Sequence, residues 1–303
     1  MGAPVPPALA VQRYREFYGI DFEKQLPNVT ASVGIVHTAG YEVVTHVFQH
    51  AQAKGTVFVF HGLYDHVGIF DKPIQFLLQQ GYSVVAYDLP GHGVSSGQKV
   101  AVKSFYRYRQ VLEGVTSVLD GELPRPWYGV AQSTGGAVLI DAMLHEDHLH
   151  PYPFTKTVLL APLIRPKNWQ RNRQVHTLVS RVFDYIPRSF TMNSHDDEFL
   201  RFLKEDDILQ SRYLSAHWVG ALKRWVPKIE AAGRSDQPVL AIQGQEDATV
   251  DWEHNIPVLE KKFTHLEVHY LPAMRHQVVN EITHIREEVF ARMLAYIEAP
   301  ISD

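Results

Sequence analysis

Short apolar runs rich in Val, Phe and Tyr alternate along this chain with longer stretches whose apolar residues recur every three or four positions. The first pattern marks buried strands and the second marks helices with one buried face, so their alternation predicts a mostly parallel, doubly wound α/β sheet. The clearest strands are Thr56-Val57-Phe58-Val59-Phe60, Ser83-Val84-Val85-Ala86-Tyr87 and Trp127-Tyr128-Gly129-Val130-Ala131. Three more are expected at 157–160, 239–243 and 266–270, with helices near 72–80, 104–120, 134–146, 252–262 and 281–298. Ahead of them, 31–36 and 42–48 flank Thr38-Ala39-Gly40 and predict an antiparallel hairpin at one sheet edge.

Between about 163 and 235 this rhythm gives way to helical patterns without a convincing strand. Val175, Leu178, Val179, Val182, Phe183 and Ile186 fall on one helical face, and Pro187 stops the pattern because it lacks an N–H and its ring clashes with the preceding turn. Ser194 with Asp197 resembles a capping pair that opens a second helix, and Trp218, Leu222, Trp225, Val226 and Ile229 form a third stripe. The expected organisation is a core over 1–162 and 236–303 with a helical cap, 163–235, inserted. Val179, Val182, Phe183, Ile186 and Trp218 are the cap residues expected to line a pocket.

Composition narrows the function. Hydrophobic residues make up 45% of the 303 and charged residues 20%, an ordinary globular balance. The net charge of −4 offers no basic field for a phosphate backbone, so no nucleic-acid partner is expected. With no cysteine there is no disulfide framework, thiolate nucleophile or cysteine-bound zinc. The opening Met1-Gly2-Ala3-Pro4-Val5-Pro6-Pro7 lacks a secretory pattern, and Pro6 stands where myristoylation wants Ser or Thr. The most apolar run, 158–164, is far shorter than the ~20 residues of a membrane span. A cytoplasmic protein is expected, with room for peripheral contact with a membrane or lipid aggregate.

Candidate chemistry centres on Tyr128-Gly129-Val130-Ala131-Gln132-Ser133-Thr134-Gly135-Gly136-Ala137. A serine at the apex of a tight strand-to-helix turn needs small residues two before and two after it, here Ala131 and Gly135. A plain turn with packing glycines is the alternative reading of this stretch alone. A serine nucleophile also needs a base and a group that orients the base. Asp247 follows the strand at 239–243, and His276 follows the strand at 266–270. Both lie at carboxyl ends of strands, the rim where sites form in open α/β sheets.

Other charged clusters read as structural. His145-Glu146-Asp147-His148-Leu149-His150 lacks metal-ligand spacing and reads as a solvated helix end, so no metal is expected. Asp196-Asp197-Glu198 and Glu205-Asp206-Asp207 likewise read as solvated charge. Arg165, Lys167, Arg171 and Arg173 around Trp169 read as a solvated face, with contact to an anionic head group as the competing reading.

Together these segments resemble an α/β-hydrolase of the monoacylglycerol lipase and lysophospholipase branch, sometimes grouped with serine aminopeptidases. The resemblance covers about 30 to 298. Phe60-His61-Gly62-Leu63-Tyr64-Asp65-His66 is similar to the branch's His-Gly-x-x-Glu-His loop, and Asp88-Leu89-Pro90-Gly91-His92-Gly93-Val94-Ser95 to Asp-x-x-Gly-His-Gly-x-Ser. Ala131 for Gly, Gln132 for His and Asp65 for Glu are departures. The resemblance implies an oxyanion hole from the backbone N–H groups of Leu63 and Thr134, and no cofactor. The expected activity is hydrolysis of carboxylic esters, lipophilic monoesters such as monoacylglycerols or lysophospholipids. Small-ester hydrolysis, peptidase or acyltransferase chemistry with the same triad, and a non-catalytic ligand receptor, stand as alternatives.

Overall fold

The computed structural model describes residues 7–145, 151–180 and 182–300. Eight strands make one sheet: β1 (Val29–Thr38), β2 (Tyr41–His50), β3 (Thr56–Phe60), β4 (Ser83–Tyr87), β5 (Trp127–Gln132), β6 (Lys156–Leu160), β9 (Val239–Gly244) and β10 (Leu266–Leu271). Their order is β1-β2-β4-β3-β5-β6-β9-β10. β2 is antiparallel to both neighbours, and every pairing beyond β4 is parallel.

Strands buried on both faces read as unbroken apolar runs, and every residue of β3, β4, β6 and β9 is buried. The two-residue period sends alternate side chains to opposite faces. Val57 and Val59 join one core with Ile74 and Leu77 of α2 (Asp71–Gln79) and Val289 and Met293 of α9 (Thr283–Glu298). Phe58 and Phe60 join the other core, with Tyr108 and Leu112 of α3 (Phe105–Leu119) and Leu139 of α4 (Thr134–Leu144). α8 (Trp252–Lys262) completes the helices expected around the sheet. α1 (Pro7–Phe17) precedes the sheet, and the sequence pattern did not single it out.

Between β6 and β9 the chain leaves the sheet through α5 (Trp169–Val179), β7 (Tyr185–Pro187), α6 (Asp197–Glu205), β8 (Tyr213–Ser215) and α7 (Ala216–Ala231). Three expectations for this stretch are corrected. The helix expected to reach Ile186 ends at Val179, because Tyr185–Pro187 pairs antiparallel with Tyr213–Ser215 and that ladder overrides the helical spacing. The cap of α6 is Asp196, whose carboxylate accepts from Phe199 N at 2.9 Å; Ser194 Oγ instead donates to the Asn280 carbonyl. Asp207, expected in solvent, is buried and accepts from Tyr18 Oη at 2.7 Å while meeting His66 Nε2 at 2.9 Å.

Candidate active site

β5 ends at Gln132 and α4 starts at Thr134, so Ser133 alone makes the turn, at φ 52° and ψ −111°. A side chain at positive φ is strained by ~1–3 kcal/mol and persists only where its surroundings fix it. Here Ser133 N donates to the Leu160 carbonyl, and the Ser133 carbonyl accepts from Ala137 and Leu163. The helix can approach β3 this closely because position 135 has no side chain: a Cβ there would sit 2.7 Å from the Phe60 carbonyl oxygen. The methyl of Ala131 is absorbed into the core.

The carboxyl ends of β9 and β10 bring Asp247 and His276 to this turn. His276 Nε2 lies 3.0 Å from Ser133 Oγ and its Nδ1 lies 2.8 Å from Asp247 Oδ2. A carboxylate only accepts, so Nδ1 carries the ring hydrogen and Nε2 is left to accept from the hydroxyl. Asp247 is held in turn: its Oδ1 accepts from Thr249 N at 2.8 Å and Val250 N at 3.1 Å. Burial raises the cost of its charge, but His276 and these donors outweigh it and leave its pKa below the ordinary value. For His276, burial disfavours the imidazolium, while Asp247 beside it reverses the balance and raises the pKa.

Leu63 and Thr134 border the same cavity as Ser133 and His276. As the first residue of α4, Thr134 has an N–H that no carbonyl one turn earlier can take. Leu63 follows His61-Gly62 at the end of β3, where the His61 ring fixes the chain: Nε2 accepts from Leu89 N at 2.9 Å and Nδ1–H donates to the Gly62 carbonyl at 2.8 Å. Complete burial holds that ring's pKa well below the ordinary value, in the neutral form these two contacts require. The loop at Gly91-His92-Gly93 is tied down from Asp88, which accepts from Val67 N and Val94 N.

The cavity has a volume of about 460 Å³. Trp169 of α5 with Trp218, Val219 and Leu222 of α7 makes a mainly apolar wall, into which Asn172 and His176 of α5 also reach, and Tyr64, Asp65, Arg188, Asn193 and Gln277 make a polar one. Of the cap residues expected to line it, Ile186 and Trp218 do so. Val182 and Phe183 do not: they are 75% and 59% exposed, since the helix meant to carry them inward ends earlier. The side chain of Val179 lies outside the described residues. Two members of the basic cluster already have partners, Arg165 with Glu230 at 2.6 Å and Lys167 with Glu253 at 3.0 Å.

Sequence reasoning missed an amide relay behind the serine. Gln132 Nε2 donates to Gln277 Oε1 at 2.9 Å, Gln277 Nε2 donates to Asp65 Oδ1 at 3.1 Å, and Gln132 Oε1 accepts from Val279 N. Two glutamines, each adjoining a candidate catalytic residue, were the signal available in the sequence. Gln132, the departure noted before Ser133, thus links the serine turn to the histidine loop. Among the described residues no group of three His, Asp or Glu is placed to hold a metal, and no helix is long and apolar enough to cross a membrane. His148 and His150 of the histidine-rich cluster lie outside the described residues.

Residues 51–283 match the serine aminopeptidase S33 group of hydrolases. The chain belongs to that family. As a member of the serine aminopeptidase S33 family it also shows the expected kinship with monoacylglycerol lipases. Monoglyceride lipase of Rattus norvegicus is 27% identical over 207 residues, 65% of this chain and 67% of that protein. A monoglyceride lipase homolog of Monkeypox virus is 20% identical over 253 residues, 80% of this chain and 89% of its own length. Among solved structures, a soluble variant of monoglyceride lipase from Saccharomyces cerevisiae, bound to a substrate analog, superposes with a TM-score of 0.76 at 18% identity, over 89% of this chain and 96% of that one. Monoacylglycerol lipase of Paleococcus ferrophilus gives 0.70 at 17% identity, over 89% and 98%. These likenesses establish the α/β-hydrolase fold for this S33 member.

Proposed function

We propose that this chain is an ester hydrolase that cleaves lipophilic monoesters of the monoacylglycerol kind through Ser133, His276 and Asp247. The observation that carries the reading is the hydrogen-bonded series from Ser133 Oγ through His276 to Asp247, opening on a cavity with an apolar wall. In this reading His276 Nε2 takes the serine proton as Oγ attacks the ester carbonyl, and returns it to the departing alcohol. Asp247 keeps the ring in the required tautomer and stabilises the imidazolium. Water then clears the acyl-enzyme by the same route.

The N–H groups of Leu63 and Thr134 receive the negative charge of the tetrahedral intermediate, one such donor being worth ~3 kcal/mol. Residues 163–235 serve as a cap whose α5 and α7 face the acyl chain. Val182, Phe183, Met192 and Ile208 on that stretch, 59–84% exposed, supply an apolar surface for peripheral contact with a membrane or lipid aggregate. Similarity to monoglyceride lipases supports the substrate class.

The test is labelling by a fluorophosphonate, with mapping of the labelled peptide, beside fatty-acid release from 1-octanoylglycerol. Labelling confined to Ser133 together with release is expected. An unlabelled protein that releases no acid from any ester would refute the reading.

A further inference from the structure

One charge in the cavity has no part in the chemistry proposed above. Arg188 follows β7 and lines the polar wall with Tyr64, Asp65 and Gln277. Its guanidinium lies 3.8 Å from the ring centroid of Tyr64 and 4.5 Å from that of Phe190, which fixes its position. Nη1 donates to Gln210 Oε1 at 2.7 Å and to the Ser211 carbonyl at 3.4 Å, both neutral acceptors. Among the described residues no carboxylate comes within 4.0 Å of it.

The acidic groups that act on Arg188 from further away are engaged elsewhere: Asp65 with Gln277, and Asp207 with Tyr18 and His66. Arg212, on Phe190 at 5.3 Å, adds a like charge. Burial pulls the pKa of Arg188 below its ordinary value, as expected of a cation short of a counter-charge. Arg188 is half-buried, and even partial burial of a charge without a counter-ion is costly; at a cavity wall the missing partner can arrive with the ligand. A planar guanidinium suits a carboxylate or phosphate, either of which can accept two of its N–H groups.

The apolar wall from α5 and α7 suits the acyl chain, which leaves the polar wall for the alcohol half of the ester. We propose that Arg188 binds an anionic group, carboxylate or phosphate, on that alcohol half, so that the preferred substrate is a monoacyl ester with an acidic head. This rests on the ester-hydrolase reading and adds the head group to it. It also moves head-group recognition away from the basic cluster around Trp169, where Arg165 and Lys167 are already paired.

The test compares 1-octanoylglycerol with 1-octanoylglycerol 3-phosphate, both below their micellar concentrations, in wild type, Arg188→Gln and Arg188→Lys. Wild type should favour the phosphate ester in kcat/KM. A charge-assisted hydrogen bond is worth ~1.5–3 kcal/mol, so Arg188→Gln should reduce that preference roughly ten- to hundredfold, mostly through KM, with partial recovery in Arg188→Lys. An equal fall on both esters would reduce Arg188 to a prop for Tyr64 and overturn the proposal, as would a wild type indifferent to the phosphate.

Binding of decyl phosphate and of decanol to Ser133→Ala, with and without Arg188→Gln, gives the same comparison without turnover. If no ester is hydrolysed, the hydrolase reading fails while the decyl phosphate preference, present or absent, still decides the role of Arg188. Inorganic phosphate that competes as well as decyl phosphate would point to a free-anion site and also overturn it.

Discussion

At the carboxyl rim of the sheet, Ser133, Asp247 and His276 are no more than 6% exposed, whereas between β6 and β9 Val182, Phe183, Met192 and Ile208 are 59–84% exposed. The rim is fixed by the strands beneath it: β5 and β9 are each paired on both sides, and their ends are tied by the bonds around Ser133 and Asp247. The intervening stretch is held by a separate ladder of three residue pairs, by packing along α7 and of Phe199 and Leu203 on α6, and by contacts from Ser194 and Asp207. Bond chemistry demands sub-ångström placement, which a sheet supplies. Enclosing a greasy chain demands only apolar area of about the right shape. The two regions should therefore respond differently to mutation, the rim in rate and the intervening stretch in substrate preference.

The largest effect should come from Ser133→Ala, which removes the proposed nucleophile and should lower kcat about 10⁶-fold. Its thermal midpoint should not fall, since one hydroxyl packs little and the strained φ of 52° remains. Retention of substantial turnover by the purified variant would break the assignment of the rim to chemistry. Asp247→Asn comes next, at about 10⁴-fold, because the amide cannot accept from Nδ1–H and favours the wrong tautomer. Glu246→Gln is the control. That carboxylate is half exposed and meets His195 and Arg275 instead. Should Glu246→Gln prove the crippled variant, the carboxylates have been exchanged.

The same contrast decides what could be read from the sequence. Runs such as Val57 to Phe60 become strands because burial on both faces leaves only apolar choices, and the helices around them keep one apolar stripe. Ser133, Asp247 and His276 stand out as candidates because each lies at or a few residues past the carboxyl end of a strand. In the intervening stretch the stripe from Val175 to Ile186 satisfied a helix equally well, and only the partner strand Tyr213–Ser215, far along the chain, decides otherwise. Asp207 shows the same blindness: nothing local reveals that Tyr18 and His66 will meet it. Arg188 and the Gln132–Gln277 pair are tertiary facts of that kind.

A smaller, graded effect belongs to pH. In the proposed mechanism His276 must be neutral to act as base, so kcat/KM should fall as pH drops through its pKa, approaching tenfold per unit below it. Asp247 raises that pKa, which places the acid limb above the ~6.5 of an unperturbed histidine. Asp247→Asn should move the limb of its residual activity downward, while Trp218→Ala in the intervening stretch should leave it in place. A limb at or below 6.5 in wild type, measured on an ester whose chemistry is slow, would mean that Asp247 does not sustain the imidazolium. A shift in Trp218→Ala would mean that the two regions are not separable.

The smallest effect per step concerns acyl length, and it tests the intervening stretch directly. Burying one methylene contributes ~0.8 kcal/mol, about fourfold in kcat/KM where the contact is kept in the transition state. Monoesters from acetate to octanoate, below their micellar concentrations, should therefore rise in kcat/KM until the apolar wall is filled. Trp218 also packs on Phe105, at 5.8 Å between ring centroids, so Trp218→Ala will lose some stability along with pocket surface. The slope against chain length is a ratio within one protein and cancels that loss. Trp218→Ala and Ile186→Ala, both on the cavity, should flatten the slope, and Phe183→Ala, exposed and off the cavity, should leave it unchanged. If all three slopes match wild type, α5 and α7 do not face the acyl chain. A wild-type rate that falls steadily with length would leave a small-ester hydrolase, in which the aromatic wall only joins this stretch to the core.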